Sequence, residues 1–276
     1  MEERLIREMV AMALREDLGS GDLTTALCIP PEAEVSGDFL AKEAGVLCGT
    51  AFLMEAFLQL DPGVRLEFLK ADGDEIRAGD VIARVAGAGR SILTGERTAL
   101  NFLQHLSGIA TATRECVEAV KGTGVRITDT RKTTPGLRAA EKYAVRTGGG
   151  VNHRFGLDGG ILIKDNHIKG AGGIAAAVAR AREEAPHVFR IEVEVESLEQ
   201  LEEALKARAD IIMLDNMTLE MMAEAVRLVR GAALLEASGN MGQRDLRAVA
   251  ETGVDLISIG ALTNQVKGLD ISLKFR

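Results

Sequence analysis

From Val125 to Gly260 the chain alternates short β-branched apolar runs with helical patterns, and that alternation leaves few folds open. Strands are predicted near Val125–Thr128, Gly160–Ile163, Val188–Val195, Asp210–Leu214, Ala232–Leu235 and Asp255–Ile259. Helices are predicted between them at Leu137–Thr147, Ile174–Ala185, Ser197 to about Ala207, Leu219–Val229 and Arg244–Thr252. Gly148-Gly149-Gly150 stops the first helix and Pro186 the second, while Ser197-Leu198-Glu199-Gln200 opens the third as a capping box. Repeated βα units imply a parallel sheet with helices outside it, either doubly wound or a barrel short of the usual eight units.

In both architectures the ligand site lies at the C-terminal ends of the strands. Polar residues collect there: Asp129-Thr130-Arg131-Lys132, Lys164-Asp165-Asn166-His167, Asp215-Asn216, Glu236 to Asn240, and Ser258-Ile259-Gly260. The third predicted strand carries its polarity inside it. Glu192, Glu194 and Glu196 alternate with Ile191, Val193 and Val195, so the three acids share one face. On a helix-covered central strand such acids need cations, water or substrate. The competing reading is a solvent-exposed edge strand.

The first half is different. A helix is predicted over Glu3–Arg15, followed by the string EDLGSGDLTT, β-structure at Gly37–Ala41 and Val64–Lys70, and a helix at Ala51–Leu60 stopped by Asp61-Pro62-Gly63. DGDEIRAGDVIARVAG has the turn-strand-turn-strand look of a biotinyl or lipoyl module, but no Met-Lys-Met carrier site accompanies it. A long helical pattern from Glu96 to Lys121 leads into the βα region.

Charge narrows the function. The chain has 276 residues and a net charge of −8, with no Trp and one Tyr, which is poor material for holding phosphate backbones or stacking bases. Yet Arg126–Gly170 holds nine Lys/Arg against four Asp/Glu, a local charge of +5. Such a field draws in a small polyanion without attracting nucleic acid; the plainer alternative is a basic surface helix. Cys28, Cys48 and Cys116 are odd in number and widely spaced, which suggests neither disulfides nor a zinc site. The longest charge-free run, Thr98–Thr113, is too short to span a bilayer, and the acidic N-terminus lacks a signal core. A cytoplasmic protein without membrane or nucleic-acid partners is expected.

Arg131, Lys132, Arg154 and Lys164 form the core of the basic cluster. Arg forks match carboxylates in pairs of hydrogen bonds and Lys supplies point charge, so the set suits a polyacid or a pyrophosphate. Lys164 at a strand end also fits a Schiff-base aldolase. Ser238-Gly239-Asn240 and Ile259-Gly260-Ala261 follow the last two strands, where small residues let backbone N–H groups approach a phosphate. His153 and His167 lack metal-ligand spacing; His153 shares the cationic turn with Arg154 and is the better candidate. No nucleophile elbow, Walker loop or GxGxxG is found.

Seven strings resemble one family, the quinolinate phosphoribosyltransferases, or carboxylating nicotinate-nucleotide pyrophosphorylases. They are EDLGSGDLTT, GERTALNFLQHLSGIAT, DTRKTTPGLRAAEKYAVRTGGGVNHRFGLDGGILIKDNH, IEVEVES, IIMLDNM, EASGN and ISIGALT. The resemblance covers nearly the whole chain in family order. It implies an α/β fold: an N-terminal α/β (α+β) sandwich domain over 1–103 with the 264–276 tail packed on it, and an incomplete TIM-like α/β barrel over 104–263. It also implies a homodimer with shared active sites, with a hexamer as a further assembly left open.

The reaction implied joins quinolinate to 5-phosphoribosyl 1-diphosphate with Mg²⁺, giving nicotinate mononucleotide, pyrophosphate and CO2 in NAD biosynthesis, with no organic cofactor. Carried over by position, Arg131, His153, Arg154 and Lys164 hold the quinolinate carboxylates, with Thr130 in the same turn, and Arg97 reaches the partner subunit's site. Lys132 faces the pyrophosphate. Glu194 and Asp215 meet the ribose hydroxyls or the hydrated Mg²⁺, with no protein ligand to the metal assigned. Ser238, Gly239, Asn240 and Ile259-Gly260-Ala261 hold the 5′-phosphate, and Asn240 stands where many relatives have Gly. Lys132, Lys164, Glu194 and Asp215 are the residues implied in catalysis. The rivals are a related protein found with molybdate transport genes, a silent anion-binding barrel, and the aldolase.

Overall fold

The computed structural model describes residues 1–276 and contains two compact units. The first comprises 1–114, 134–149 and 266–276, and the second 115–133 and 150–265.

In the first unit, α1 (Glu3–Leu18) buries Ile6, Val10 and Leu14, one stripe at helical spacing. Asp22 then caps a short helix, α2 (Leu23–Cys28), by accepting the Thr25 N–H at 2.9 Å. The strands are β1 (Glu34–Ala41), β2 (Gly45–Val46), β3 (Arg65–Phe68), β4 (Glu75–Ile76) and β5 (Val81–Ala88). An antiparallel sheet places β1 between β5 and the C-terminal strand Ile271–Phe275, with β3 outside β5. β2 and β4 form a separate ribbon. The core gathers on α3 (Thr50–Leu60), where Phe57 meets Phe39 at 6.1 Å between ring centroids and Phe52 stacks on Phe102 at 4.8 Å. Phe102 belongs to α4 (Gly89–Ala119), a 31-residue helix that contains the expected 103/104 boundary within it. α5 (Arg138–Thr147) carries the fully buried Glu141, whose carboxylate takes the Thr134 N–H and contacts His105 Nε2 at 2.9 Å.

The second unit is built on six parallel strands: β6 (Arg126–Thr128), β7 (Ile161–Ile163), β8 (Ile191–Val195), β9 (Ile211–Asp215), β10 (Leu234–Ser238) and β11 (Leu256–Ser258). Their order across the sheet is β6-β11-β10-β9-β8-β7. Helices α6 (Asp165–Ala171), α7 (Ile174–Glu184), α8 (Leu198–Lys206), α9 (Leu219–Val229), α10 (Leu246–Glu251) and α11 (Ala261–Asn264) follow β7 to β11 and wrap the sheet. Ser197 caps α8 as its sequence suggests, accepting the Gln200 N–H. No helix of the chain is long and apolar enough to cross a membrane.

β8 is central, as its glutamates lead one to expect, and three other details differ from the sequence reading. β8 lies between β7 and β9, which removes the edge-strand reading of its glutamates. It begins at Ile191 rather than Val188, because a turn from Pro186 to Phe189 holds the preceding residues out of the sheet. β10 runs on through Glu236 to Ser238, whereas the charged residue suggested that the strand had ended. α2 and α6, both short, were not anticipated.

Gly108, inside α4, packs against the backbone before the C-terminal strand: an added Cβ would sit 2.2 Å from the Lys267 carbonyl oxygen. Gly108→Ala gains about 1 kcal/mol of helix propensity, but the overpacking costs about 1–3 kcal/mol or more. The clash with backbone is the larger effect. The variant is expected to melt several degrees below wild type in a thermal scan, and an unchanged or raised Tm would show that the tail moves aside freely.

Candidate active site

The C-terminal ends of β6 to β11 open on one cavity of about 370 Å³. Thr130, Arg131, Lys132, His153, Arg154, Lys164, Glu194, Asp215 and Ser238 all line it. A smaller cup of about 120 Å³ is lined by Gly239, Asn240, Gly260 and Ala261 and shares Thr130, Lys132, Ser238 and Ser258 with the cavity. The structure thus brings together the sequence-predicted residues except two. Ile259 is buried and its N–H is donated to the Thr128 carbonyl, so it serves the sheet. Arg97 is exposed on α4 of the first unit and lines neither space.

Each group is held by its local fold. After β6, the Lys132 N–H donates to Thr130 Oγ1 at 3.0 Å and the Lys132 carbonyl accepts from Thr263 Oγ1 at 2.8 Å. Asp129, fully buried, accepts the His153 N–H at 2.8 Å and an Asn152 Nδ2 hydrogen bond at 2.6 Å. This pins the His153-Arg154 turn beside β6, where Val151 makes a parallel bridge with Thr128. Arg154 donates from its guanidinium to the Gly160 carbonyl at 2.9 Å. Lys164 precedes α6, and its N–H donates to His167 Nδ1, which makes His167 a support for the start of that helix.

Cations and carboxylates share this cavity. Burial, and then the neighbouring Arg131 charge, pushes the Arg154 pKa down from the ordinary guanidinium value, with the Glu192 charge opposing. Lys164 Nζ is ion-paired and hydrogen-bonded to Glu194 Oε2. Asp215 accepts from Asn216 Nδ2 at 3.0 Å, which orients its carboxylate at the end of β9.

Sequence reasoning missed two residues as site members, Glu236 and Ser258. Glu236 is 2% exposed and lines the cavity. Burial, and then the Glu192 charge, pushes its carboxyl up to about 7. The signal was present: a Glu in the middle of an apolar strand needs a partner.

The cup depends on backbone shape. Gly239 has φ of 93°, and an added Cβ would lie 2.7 Å from the Asn216 backbone nitrogen. Asn240 has φ of 52°, a left-handed conformation that Asn tolerates, so replacing Gly there preserves the turn.

A cationic cavity at parallel strand ends, joined to a glycine-walled cup, defines an α/β enzyme that handles a small polyacid and a phosphate side by side. Family comparison makes this specific. Residues 22–107 and 109–274 match the quinolinate phosphoribosyl transferase N-terminal and C-terminal domain families. A probable carboxylating nicotinate-nucleotide pyrophosphorylase of Bacillus subtilis is 48% identical over 258 residues, covering 94% of this chain and 89% of that protein. A carboxylating nicotinate-nucleotide pyrophosphorylase of Mycobacterium leprae is 44% identical, covering 97% and 96%. The solved structure of the nicotinate-nucleotide pyrophosphorylase from Francisella tularensis superposes with a TM-score of 0.96 at 42% identity, over 100% of this chain and 98% of that one. The chain belongs to the quinolinate phosphoribosyltransferase family.

Gly239→Ala drives its new Cβ against Asn216 and should distort the cup's wall. Isothermal titration with inorganic phosphate is expected to show at least about a tenfold loss of affinity, about 1.4 kcal/mol. Unchanged affinity would place phosphate elsewhere.

Proposed function

We infer that this enzyme transfers the phosphoribosyl group of 5-phosphoribosyl 1-diphosphate to the ring nitrogen of quinolinate and removes the adjacent carboxylate. The products are nicotinate mononucleotide, pyrophosphate and CO2. The observation that carries the reading is that Arg131, Lys132, Arg154 and Lys164 line one cavity, which adjoins a cup of about 120 Å³ walled by Gly239 and Gly260.

The site residues take their roles from chemistry and position. Arg131 and Arg154 bind the two carboxylates, with Lys164 and His153 at the same wall. Ser238, Gly239, Asn240, Gly260 and Ala261 receive the 5′-phosphate on the cup. Lys132 lines both spaces and so faces the pyrophosphate between them. Glu194 and Asp215 line the same cavity, and fixed carboxylates there would stabilise the ribosyl carbon as it becomes electron-poor on departure of pyrophosphate. The donor set fits Mg²⁺: Asp215 is a hard oxygen donor on the cavity wall, whereas Glu194 is engaged by Lys164. Asp215 would hold the hydrated ion, which offsets charge on the leaving group when it enters with the diphosphate. The ring nitrogen, once ribosylated, stabilises the carbanion left by decarboxylation, so transfer comes first. The protein needs position and electrostatics here, with no covalent nucleophile.

The cyclic strand order of the second unit, broken only between β6 and β7, supports an incomplete α/β barrel. The exposed Arg97 supports a homodimer in which it completes the partner subunit's site. Met12, Leu23, Leu27, Met54 and Leu58, all exposed apolar residues of the first unit, are candidates for that interface.

The decisive assay supplies quinolinate, the diphosphate donor and Mg²⁺, and scores nicotinate mononucleotide and CO2 together. Equal amounts of both are expected. Quinolinate binding without either product would make the chain a silent anion-binding relative. Arg131→Ala should cost about 2–5 kcal/mol in kcat/KM for quinolinate, because bound charge is left unpaired; wild-type kinetics would remove Arg131 from the site. Arg97→Ala mixed with Glu194→Gln should regain part of the activity through hybrid dimers, and no recovery would count against a shared site.

A further inference from the structure

Two buried carboxyls, Glu192 and Glu236, have no part in the reaction as assigned so far. Both side chains point into the interior of the sheet at 4% and 2% exposure. One oxygen of each, Oε1, has no hydrogen-bond partner. His153 joins them: its Nε2 lies 3.1 Å from Glu192 Oε2 and 3.8 Å from Glu236 Oε2, and the three groups' nearest atoms fall within 4.8 Å of one another.

The tautomer of His153 decides what this cluster is. Its Nδ1 accepts the Arg154 backbone N–H at 2.8 Å, so in the neutral ring Nε2 carries the hydrogen and donates it toward the two carboxyls. An Nε2–H is no ligand for a cation, and the arrangement is one of shared protons. Two carboxyls this close in an apolar interior do not both ionise.

Glu236 also has a particular place. It lines the substrate cavity, and it lines a second cavity of about 450 Å³ on the side of the N-terminal strand ends. Arg126, Arg190, Ile211 and Leu234 line that second space, and His153 and Arg154 stand with Glu236 on the wall between the two.

We propose that Glu236 is the proton donor that returns hydrogen to the ring carbon left by decarboxylation, with Glu192 and His153 positioning its carboxyl. The proposal rests on the reaction assigned above. In the step, the bond from ring C2 to the carboxyl carbon breaks, CO2 leaves, and the electron pair stays on C2. The Glu236 O–H then breaks and its proton forms the C2–H bond. The resulting carboxylate beside Glu192 takes a proton from water in the second cavity, so one solvent proton is consumed per turnover. Other groups at the wall are less suited. Guanidiniums do not release protons, Lys164 is held by Glu194, and His153 directs its N–H away to the carboxyls. Burial keeps Glu236 protonated into the neutral range, reinforced by Glu192 and opposed by His153, the Ser258 hydroxyl and Lys164.

The test follows pyrophosphate and CO2 separately in single turnovers of wild type, Glu236→Gln and Glu192→Gln, with kcat measured from about pH 6 to about pH 9. For Glu236→Gln, pyrophosphate release is expected near the wild-type rate while CO2 and nicotinate mononucleotide lag by about 10²-fold. Without its proton the carbanion recaptures CO2. The wild-type kcat should fall on the alkaline side as Glu236 ionises. Glu192→Gln should move that fall to lower pH, because removing a like charge eases ionisation. Equal slowing of pyrophosphate and CO2, no slowing of either, or an unmoved alkaline limb in Glu192→Gln would overturn the proposal. Where Glu236→Gln does not fold, the Glu192→Gln limb decides alone. A wild-type enzyme that makes no product overturns the assigned reaction itself, a different result from a wild-type rate kept by Glu236→Gln.

Discussion

Strand direction is the constraint on which the site depends. A β-strand followed by a helix and a second parallel strand must send both strands the same way, so all six strands of the second unit end at one edge. Residues far apart in sequence, from Thr130 to Ala261, then meet without any of them needing to be near another along the chain. The interior sets the second condition. Helices cover the sheet, so a charge on an inward face has no bulk water and must find a counter-charge, a proton or a substrate. Glu194, paired with Lys164, and Glu236, kept protonated beside Glu192, are two different answers to that one demand.

These answers divide the chemistry. Cations and carboxylates line the same cavity, with Glu194 on β8 and Asp215 on β9 facing the space that Arg131, Arg154 and Lys164 also line. Under the proposed reaction the cations meet ground-state anions and the carboxylates meet the positive charge that develops as the sugar bond breaks, so one wall would distinguish reactant from transition state by sign. The backbone supplies the rest. The cup's wall turns through left-handed backbone at Gly239 and Asn240, and Gly239 has no room for a Cβ against Asn216.

Much of this could be read from residues alone, for physical reasons. Alternation of β-branched runs with capped helices located all six strands of the parallel sheet, because period and capping are local properties. The +5 segment pointed to the cavity, since a local excess of positive charge attracts a small anion. The glutamates of Ile191–Val195 announced a central strand with a polar interior. What stayed hidden was set by tertiary context. The end of β10 was placed too early because Glu236 looks like the start of a loop, and only the surrounding burial shows it to be inside the sheet. His153 could be ranked above His167, but its tautomer follows from one backbone hydrogen bond that no spacing reveals. Ile259 sits in a string that suggests a phosphate turn, yet its N–H belongs to the sheet.

The burial of Arg154 has a meaning for evolution and engineering alike. Removal from water works against its charge, a penalty that the folded chain carries and the unfolded chain does not. Screening variants for heat resistance without substrate would therefore favour replacing such a cation by a neutral residue. A ligand that binds the folded state stabilises it, so a screen run with substrate present keeps the charge. The conditions of selection, more than the fold, decide whether such a residue endures.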